Sequence, residues 1–412
     1  MKQTVRHGLG IALGAMAFLC NYSPWVQNAA SLPDALTLSS GQKLVVQTGL
    51  PMRAASKDGT VSVLASQDER VTLTAEEGGQ TQVTFSLLGL IPVHETRVDV
   101  VEERTLIPGG QAVGVALKTR GVLVVSDSVK GRMLRAGDVI LSVNGQNVES
   151  TKTLSEHVTA AQADTVHLEV LRAGQTIAVD APASLDPSDG RRKLGVWVRD
   201  STAGVGTLTY IDPANQAYGA LGHAIVDADT GRLLSAREGA ILRANIVGVT
   251  RGQSGRAGEL KGHFLKEGKQ IGSLLENGEY GIYGVMERTP ETLLYPDGLK
   301  AGSRSAVHTG AASILTTVDD SGPQEYSVEI VRCFAQNEPS QKGMILRVTD
   351  ERLLEKTGGI VQGMSGSPIL QDGRLIGAVT HVYLSDATQG YGMYIEWMLE
   401  RSDALDASGQ AA

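Results

Sequence analysis

Gly363-Met-Ser-Gly-Ser-Pro-Ile-Leu-Gln-Asp-Gly-Arg-Leu-Ile-Gly-Ala-Val-Thr-His381 is the stretch that decides how this chain is read. Two short apolar runs flank Asp372-Gly373, which reads as strand, tight hairpin, strand. Ahead of them, Gly363 and Gly366 bracket Ser365 and are free to take backbone angles that a side chain resists. A turn of this kind turns backbone N–H groups toward one point while the serine oxygen faces outward. That is the arrangement needed to hold a developing oxyanion.

Working outward, the chain has 412 residues, 42% hydrophobic and 20% charged, too long for one ordinary domain and too apolar for disorder. Forty-nine glycines beside few aromatic residues favour turns and short strands over helical bundles. The net charge of −8 argues against a nucleic-acid partner held by phosphate contacts. Cys20 and Cys333 alone build neither a disulfide scaffold nor a thiolate zinc site. Asp227 and Asp229 stand in a stretch that lacks the later ligands of a calcium loop, and Arg251–Gly258 is no phosphate cradle. No metal and no cofactor are expected.

Lys2, Arg6 and His7 precede an apolar run from Leu9 to Cys20, so residues 1–30 read as a signal peptide or membrane anchor. The chain beyond residue 30 is expected to be exported, and contact with the membrane to run through the leading segment. Residues 31–104 read as a β-rich segment, with strand-like runs at Lys43–Val46, Val61–Leu64 and Val83–Leu87 and a hairpin at Asp58-Gly59.

Residues 105–185 run from the glycine-rich Pro108–Leu117 through Gly121–Val125 to Gly137-Asp-Val-Ile-Leu-Ser-Val-Asn-Gly145, a helical stretch and a hairpin at Arg172–Gln175. This order resembles a PDZ domain. The resemblance implies a peptide strand or C-terminus bound at Gly110, Val113, Gly114 and Val115, with loop amides holding a carboxylate. A polar linker, Ala183–Gly190, leads into residues 191–405, where turns at Asn277-Gly, Pro296-Asp-Gly and Asp372-Gly separate short apolar runs, as in an all-β barrel or sandwich.

A serine nucleophile needs a base. Of the histidines in the last segment, His223 stands out, in Leu221-Gly-His-Ala-Ile-Val226 after a strand-like run. His381 reads as a channel-wall residue, and His263 and His308 as loop residues. The orienting carboxylate is open on spacing alone, with Asp227, Asp229, Asp297, Asp319, Asp320 and Asp350 all in range. Thr349-Asp-Glu-Arg-Leu-Leu-Glu also reads as a helix start, which makes Asp350 a candidate N-cap.

The hexapeptide Gly363–Pro368 resembles the nucleophile loop of chymotrypsin-like serine proteases, in which the amides of Gly363 and Ser365 form the oxyanion hole and Thr380, His381 and Val382 line the substrate channel. Together with Ile107-Pro-Gly-Gly, Gly222-His-Ala-Ile, Leu88-Gly-Leu-Ile-Pro-Val and Gly258-Glu-Leu-Lys-Gly, nearly the whole chain resembles the stage IV sporulation protein B peptidases. That resemblance implies a mainly β fold, a PDZ domain followed by a chymotrypsin-like β-barrel serine protease domain. It also implies catalysis by His223, Asp350 and Ser365. The implied partner is a protein substrate with a membrane anchor, cut in the space between mother cell and forespore. The cut triggers an intramembrane protease that matures a late sigma factor, and the family also cleaves itself. A catalytically idle PDZ scaffold and a broad envelope quality-control protease are the rival readings.

Overall fold

The computed structural model describes residues 32–67, 69–127, 133–234, 236–264 and 270–407. The expected leader at 1–30 lies outside the described residues. The chain divides into two compact units, one running to Arg104 with Lys300–Val307, the other Thr105–Leu299 with His308 onward. In the first, a four-stranded sheet in the order Ala35–Ser39, Ile91–Val101, Gly79–Leu87, Met52–Ser56 shares a core with the three-stranded Lys43–Gln47, Arg70–Ala75, Val61–Gln67. Leu38, Met52, Leu73 and Phe85 are enclosed there. Asp58-Gly59 does not close the expected hairpin. Met52–Ser56 pairs with Gly79–Leu87, and Val61–Gln67 with Arg70–Ala75. The Asp58 carboxylate instead accepts from the Thr60 amide at 3.2 Å, a local turn that passes the chain from one sheet to the other.

The second unit opens with β1 (Ala112–Asp127), β2 (Val139–Val143), α1 (Thr151–Ala160), β3 (Thr165–Arg172) and β4 (Gln175–Pro182). Asn144 and Gly145, with φ of +50° and +79°, make the Asn-Gly turn read from sequence, and Ala173-Gly174 turns β3 into β4. Helix α1 begins at Ser150, whose hydroxyl accepts from the Thr153 amide at 3.1 Å. Its buried face, Leu154 and Val158, packs with Val122, Val124, Leu168 and Val170.

The peptidase portion continues with β5 (Val196–Ile211), β6 (Ala217–Ala220), β7 (Ala236–Thr250), β8 (Gln270–Gly278) and β9 (Gly281–Met286). Antiparallel pairing runs β5–β6–β9–β8–β7. The sixth strand is β1: its residues 112–118 pair with β5 on one edge and residues 113–119 with β7 on the other, closing a ring. Val113, Val115 and Leu117 point into that ring with Leu208, Tyr218, Ile241 and Ile282.

A second antiparallel ring comes next. Its strands are β10 (Gly310–Thr316), β11 (Gln324–Cys333), β12 (Met344–Val348), β13 (Pro368–Gln371), β14 (Arg374–Val382) and β15 (Gln389–Tyr394), paired in the order β10–β11–β12–β15–β14–β13 and back to β10. Helix α2 (Glu351–Thr357) lies between β12 and β13, and α3 (Ile395–Ala407) comes after β15. Closure leaves each ring without an open edge. The fold is mainly β, and its two six-stranded rings are compatible with the chymotrypsin-like plan.

Ring closure corrects the expected peptide site. Gly110, Val113 and Gly114 do not border an open groove, and Val115 borders only the cleft that holds His223 and Ser365. Residues 113–115 are paired on both edges, Val113 and Val115 are buried in the barrel, and the amides of Gly109 and Gly110 donate to Thr209 and Leu208 carbonyls at 2.9 and 2.8 Å. The alternating apolar run that resembled a ligand-binding strand supplies the barrel with its missing member. A fragment beginning at residue 190 lacks β1 and exposes the edges of β5 and β7. It is expected to aggregate without a cooperative thermal transition by circular dichroism, whereas a fragment beginning at residue 105 melts cooperatively. A cooperative melt from the shorter piece contradicts the shared strand.

Candidate active site

The two barrels face each other across a cleft of about 770 Å³, lined from the first by Val205 and His223 and from the second by Ser365, Thr380, His381 and Val382. Thr380, His381 and Val382, expected along a substrate channel, stand on the same cleft as His223 and Ser365. Strand β13 covers the edge of β14 only as far as Ala378, short of these residues.

The nucleophile loop is held from behind by β5. The Thr207 amide donates to the Ser365 carbonyl at 3.0 Å, the Thr207 hydroxyl to the Gly363 carbonyl at 2.8 Å, and the Thr209 hydroxyl to the Gly366 carbonyl at 2.8 Å. Gly363 and Gly366 adopt φ of +97° and +95°. At Gly366 a Cβ would sit 2.1 Å from the Thr207 carbonyl oxygen and 2.5 Å from the Leu221 nitrogen, so no side chain fits. Met364 and Gly366 spend their amides on Val361 and Val379 carbonyls. The amides of Gly363 and Ser365 donate to no acceptor among the described residues, leaving two donors two residues apart for an oxyanion. Ser367, the neighbouring hydroxyl, is fully buried and donates to the Met364 carbonyl.

His223 is reached from β6 through Leu221 and Gly222, both at positive φ (+69° and +67°). Asn277, at the end of β8, fixes the segment beyond it. Its Oδ1 accepts from the Ile225 amide at 2.7 Å, and its Nδ2 donates to the Ile225 and Leu234 carbonyls. In the sequence Asn277 registers only as half of an Asn-Gly turn. The His223 Nδ1–H donates to the Ala224 carbonyl at 2.8 Å, which leaves Nε2 with its lone pair. Burial pushes the imidazole below the ordinary histidine range, with the Ala224 bond pulling the other way. The His381 ring lies 5.4 Å from that of His223, tilted by 41°, and burial beside His223 and Lys342 pushes it down to about 4. Both imidazoles are thus neutral near pH 7. The Ser365 hydroxyl rests on the Thr380 carbonyl at 2.8 Å rather than on His223.

Asp350, the carboxylate implied by family resemblance, is used elsewhere. It is the N-cap of α2, accepting from the Arg352 amide at 3.0 Å, from the Arg352 guanidinium and from the Ser327 amide. Arg352 holds its carboxyl below the usual carboxylate range. Of the other candidates, Asp227 is buried on Arg199 and Thr230, Asp229 also pairs with Arg199, and Asp319 pairs with Lys356. Among the described residues no carboxylate bonds to His223. His308 pairs with Asp372, outside the cleft.

The fold and the cleft define a serine peptidase carrying a PDZ domain. The chain belongs to the SpoIVB peptidase S55 family, which matches residues 190–399, and residues 101–182 match the PDZ domain family. No curated protein matches the chain. Among solved structures, the PDZ domain of the SdrC-like protein (Lmo2051) from Listeria monocytogenes is 20% identical, covering 19% of this chain and 87% of its own, with a TM-score of 0.18. The active form of the Rv3671c protease from M. tuberculosis is 13% identical, covering 48% and 72%, with a TM-score of 0.26.

Replacing Asp350 separates the two uses of this residue. Asp350→Asn, which still caps, is expected to keep peptide cleavage within about twofold, and Asp350→Ala to lose about 1 kcal/mol of stability in urea melts. A fall of several orders of magnitude in turnover for Asp350→Asn, at unchanged melting temperature, returns it to the catalytic machinery.

Proposed function

We propose that this chain is an exported serine endopeptidase in which Ser365 is the nucleophile and His223 the general base. The observation that carries the reading is the Gly363–Gly366 loop, with Ser365 facing the same cleft as His223 beside two unspent amides. Ser365 turns its hydroxyl from the Thr380 carbonyl to Nε2 of His223 and attacks the peptide carbonyl as its proton passes to the imidazole. The Gly363 and Ser365 amides hold the oxyanion. His223 then protonates the leaving amine, and water frees the acyl group by the reverse route. The substrate lies along Thr380–Val382. The Ala224 carbonyl fixes the tautomer in place of a carboxylate.

Membership in the SpoIVB peptidase S55 family supports a narrower role. In that reading the enzyme cuts itself near the N-terminus and cuts a membrane-anchored regulatory protein between mother cell and forespore. The second cut releases an intramembrane protease that matures a late sporulation sigma factor. Anchoring through residues 1–30 is part of this proposal. No helix among the described residues is long and apolar enough to cross a membrane.

Mass spectrometry of the N-terminus of purified full-length chain tests the catalytic core of the proposal. Wild type is expected to show a trimmed N-terminus, and Ser365→Ala an intact one with cleavage of a reporter peptide reduced at least about a thousandfold. Because burial lowers the His223 ionisation, wild-type kcat/KM holds its plateau below the ordinary histidine value of 6.5 and falls only at more acid pH. Trimming by Ser365→Ala, or an acid limb centred above that value, contradicts the assignment.

A further inference from the structure

Leu88-Gly-Leu-Ile-Pro-Val93 forms a hairpin tip in the first unit that turns its apolar side chains to solvent. It joins Gly79–Leu87 to Ile91–Val101 at one end of the four-stranded sheet. Leu88, Leu90, Ile91 and Val93 are 64%, 83%, 61% and 45% exposed. Four large apolar side chains bared within six positions make a patch of the kind that marks a protein or membrane contact. The tip is also firmly built. The Leu88 amide donates to the Pro51 carbonyl at 3.2 Å, and the Leu90 amide to the Leu87 carbonyl at 3.0 Å. Leu88 stands at φ +52°, a left-handed angle at which Asn or Asp is the usual non-glycine residue. With most of the leucine side chain in solvent, no packing within the fold offsets that strain.

The leading segment enters at the same end of the sheet. Ala35–Ser39 pairs in parallel with Ile91–Val101, Ala35 opposite Arg97, so the chain traced back from Ala35 runs toward the tip. Leu32 is buried, and the Pro33 carbonyl accepts from the Thr96 hydroxyl at 2.8 Å and from His94 Nε2 at 3.2 Å. Eleven residues separate the apolar run ending at Cys20 from Leu32, a tether of at most about 40 Å. Leu90 lies four residues from His94, about 13 Å along the hairpin and well inside that reach. Charges of both signs, Arg53, Asp34 and Glu95, are exposed beside the tip and the entry point. The Arg53 stem lies over the turn, where a Cβ on Gly89 would come 2.9 Å from its Cδ. Apolar contact rather than net charge therefore governs what the tip meets.

We propose that the Leu88–Val93 tip inserts into the surface of a lipid bilayer, as a second membrane contact beside the leading segment. It holds the first unit against lipid instead of leaving that unit at the end of a tether. The choice of lipid as occupant rests on the anchoring through residues 1–30 proposed above, whereas the exposed tip does not.

The test uses the full-length chain with Ser365→Ala, so that self-cleavage cannot release the leading segment, and with Cys20 and Cys333 replaced by Ser. A bimane probe on Leu90→Cys is read in phosphatidylcholine vesicles, with and without nitroxide on the acyl chains. Nitroxide lipid should quench this probe at least about twofold, equally at low salt and at about 0.5 M. A probe on Glu77→Cys, beyond the far end of the hairpin, should stay unquenched. Leu88→Asn with Leu90→Ser and Ile91→Thr should remove most of the quenching read from a probe on Val93→Cys. Leu88→Asn alone, which suits the turn, replaces the triple variant if that variant fails to fold. Carbonate washing reports on the leading segment separately. A chain that resists the wash with residue 90 unquenched keeps its anchor and overturns the tip. A chain that washes off after residue 90 was quenched lacks the anchor and keeps the tip. A blue shift at residue 90 that grows with protein density and ignores nitroxide lipid puts a second copy there and overturns the proposal.

Discussion

Along β5, Gly204, Val205, Gly206 and Thr207 pair with Val115, Gly114, Val113 and Ala112 of β1, and both halves of the site are placed by that ladder. On the inner side of the ladder the paired strands close the first barrel, from which His223 projects. At its end, Thr207 and Thr209 reach across to the second barrel and hold the Ser365 loop by three hydrogen bonds. Each bond is worth about 1 kcal/mol net, but leaving the buried carbonyls unpaired costs about 1–3 kcal/mol apiece. The loop is therefore held tightly only while the strand is in register. A one-residue slip would move Val113 and Val115 out of the core and Thr207 away from the loop at once.

The same economy of structure marks the histidine. His223 is neutral, buried and oriented by a backbone carbonyl, with Asn277 bracing the chain just after it. A carbonyl dipole fixes the tautomer as a carboxylate would, but it offers less stabilisation to the imidazolium that forms during attack. His381, a neutral neighbour at 5.4 Å, adds no negative charge. In the resting site the hydroxyl points to the Thr380 carbonyl, so assembly of the serine–histidine pair belongs to substrate binding.

Much of the site is legible in the sequence because its signals are local. Gly363 and Gly366 announce a turn that only glycine can make, Asp372-Gly373 announces the hairpin, and both stand where expected, at positive φ. The helix start at Asp350 is equally legible, and a helix cap is what this carboxylate makes. Its catalytic role rests on resemblance alone, and no bond from Asp350 leads to His223. The misreadings are non-local. Nothing within residues 112–118 tells whether an alternating apolar run waits for a peptide or closes a barrel more than eighty residues downstream. Likewise, Asp58-Gly59 looks like a hairpin turn until the partners of the flanking strands are known. Asn277 gives no separate signal because an Asn-Gly pair is already explained by its turn.

Hydrogen exchange on the full-length chain, read by mass spectrometry on peptides covering residues 112–118, tests the shared strand most directly. With both edges of residues 113–118 paired, their amides should exchange only through global unfolding, in step with the core of β5. Exchange at the rate of an open edge, while β5 stays protected, would contradict the closed barrel and the placement of the site that depends on it.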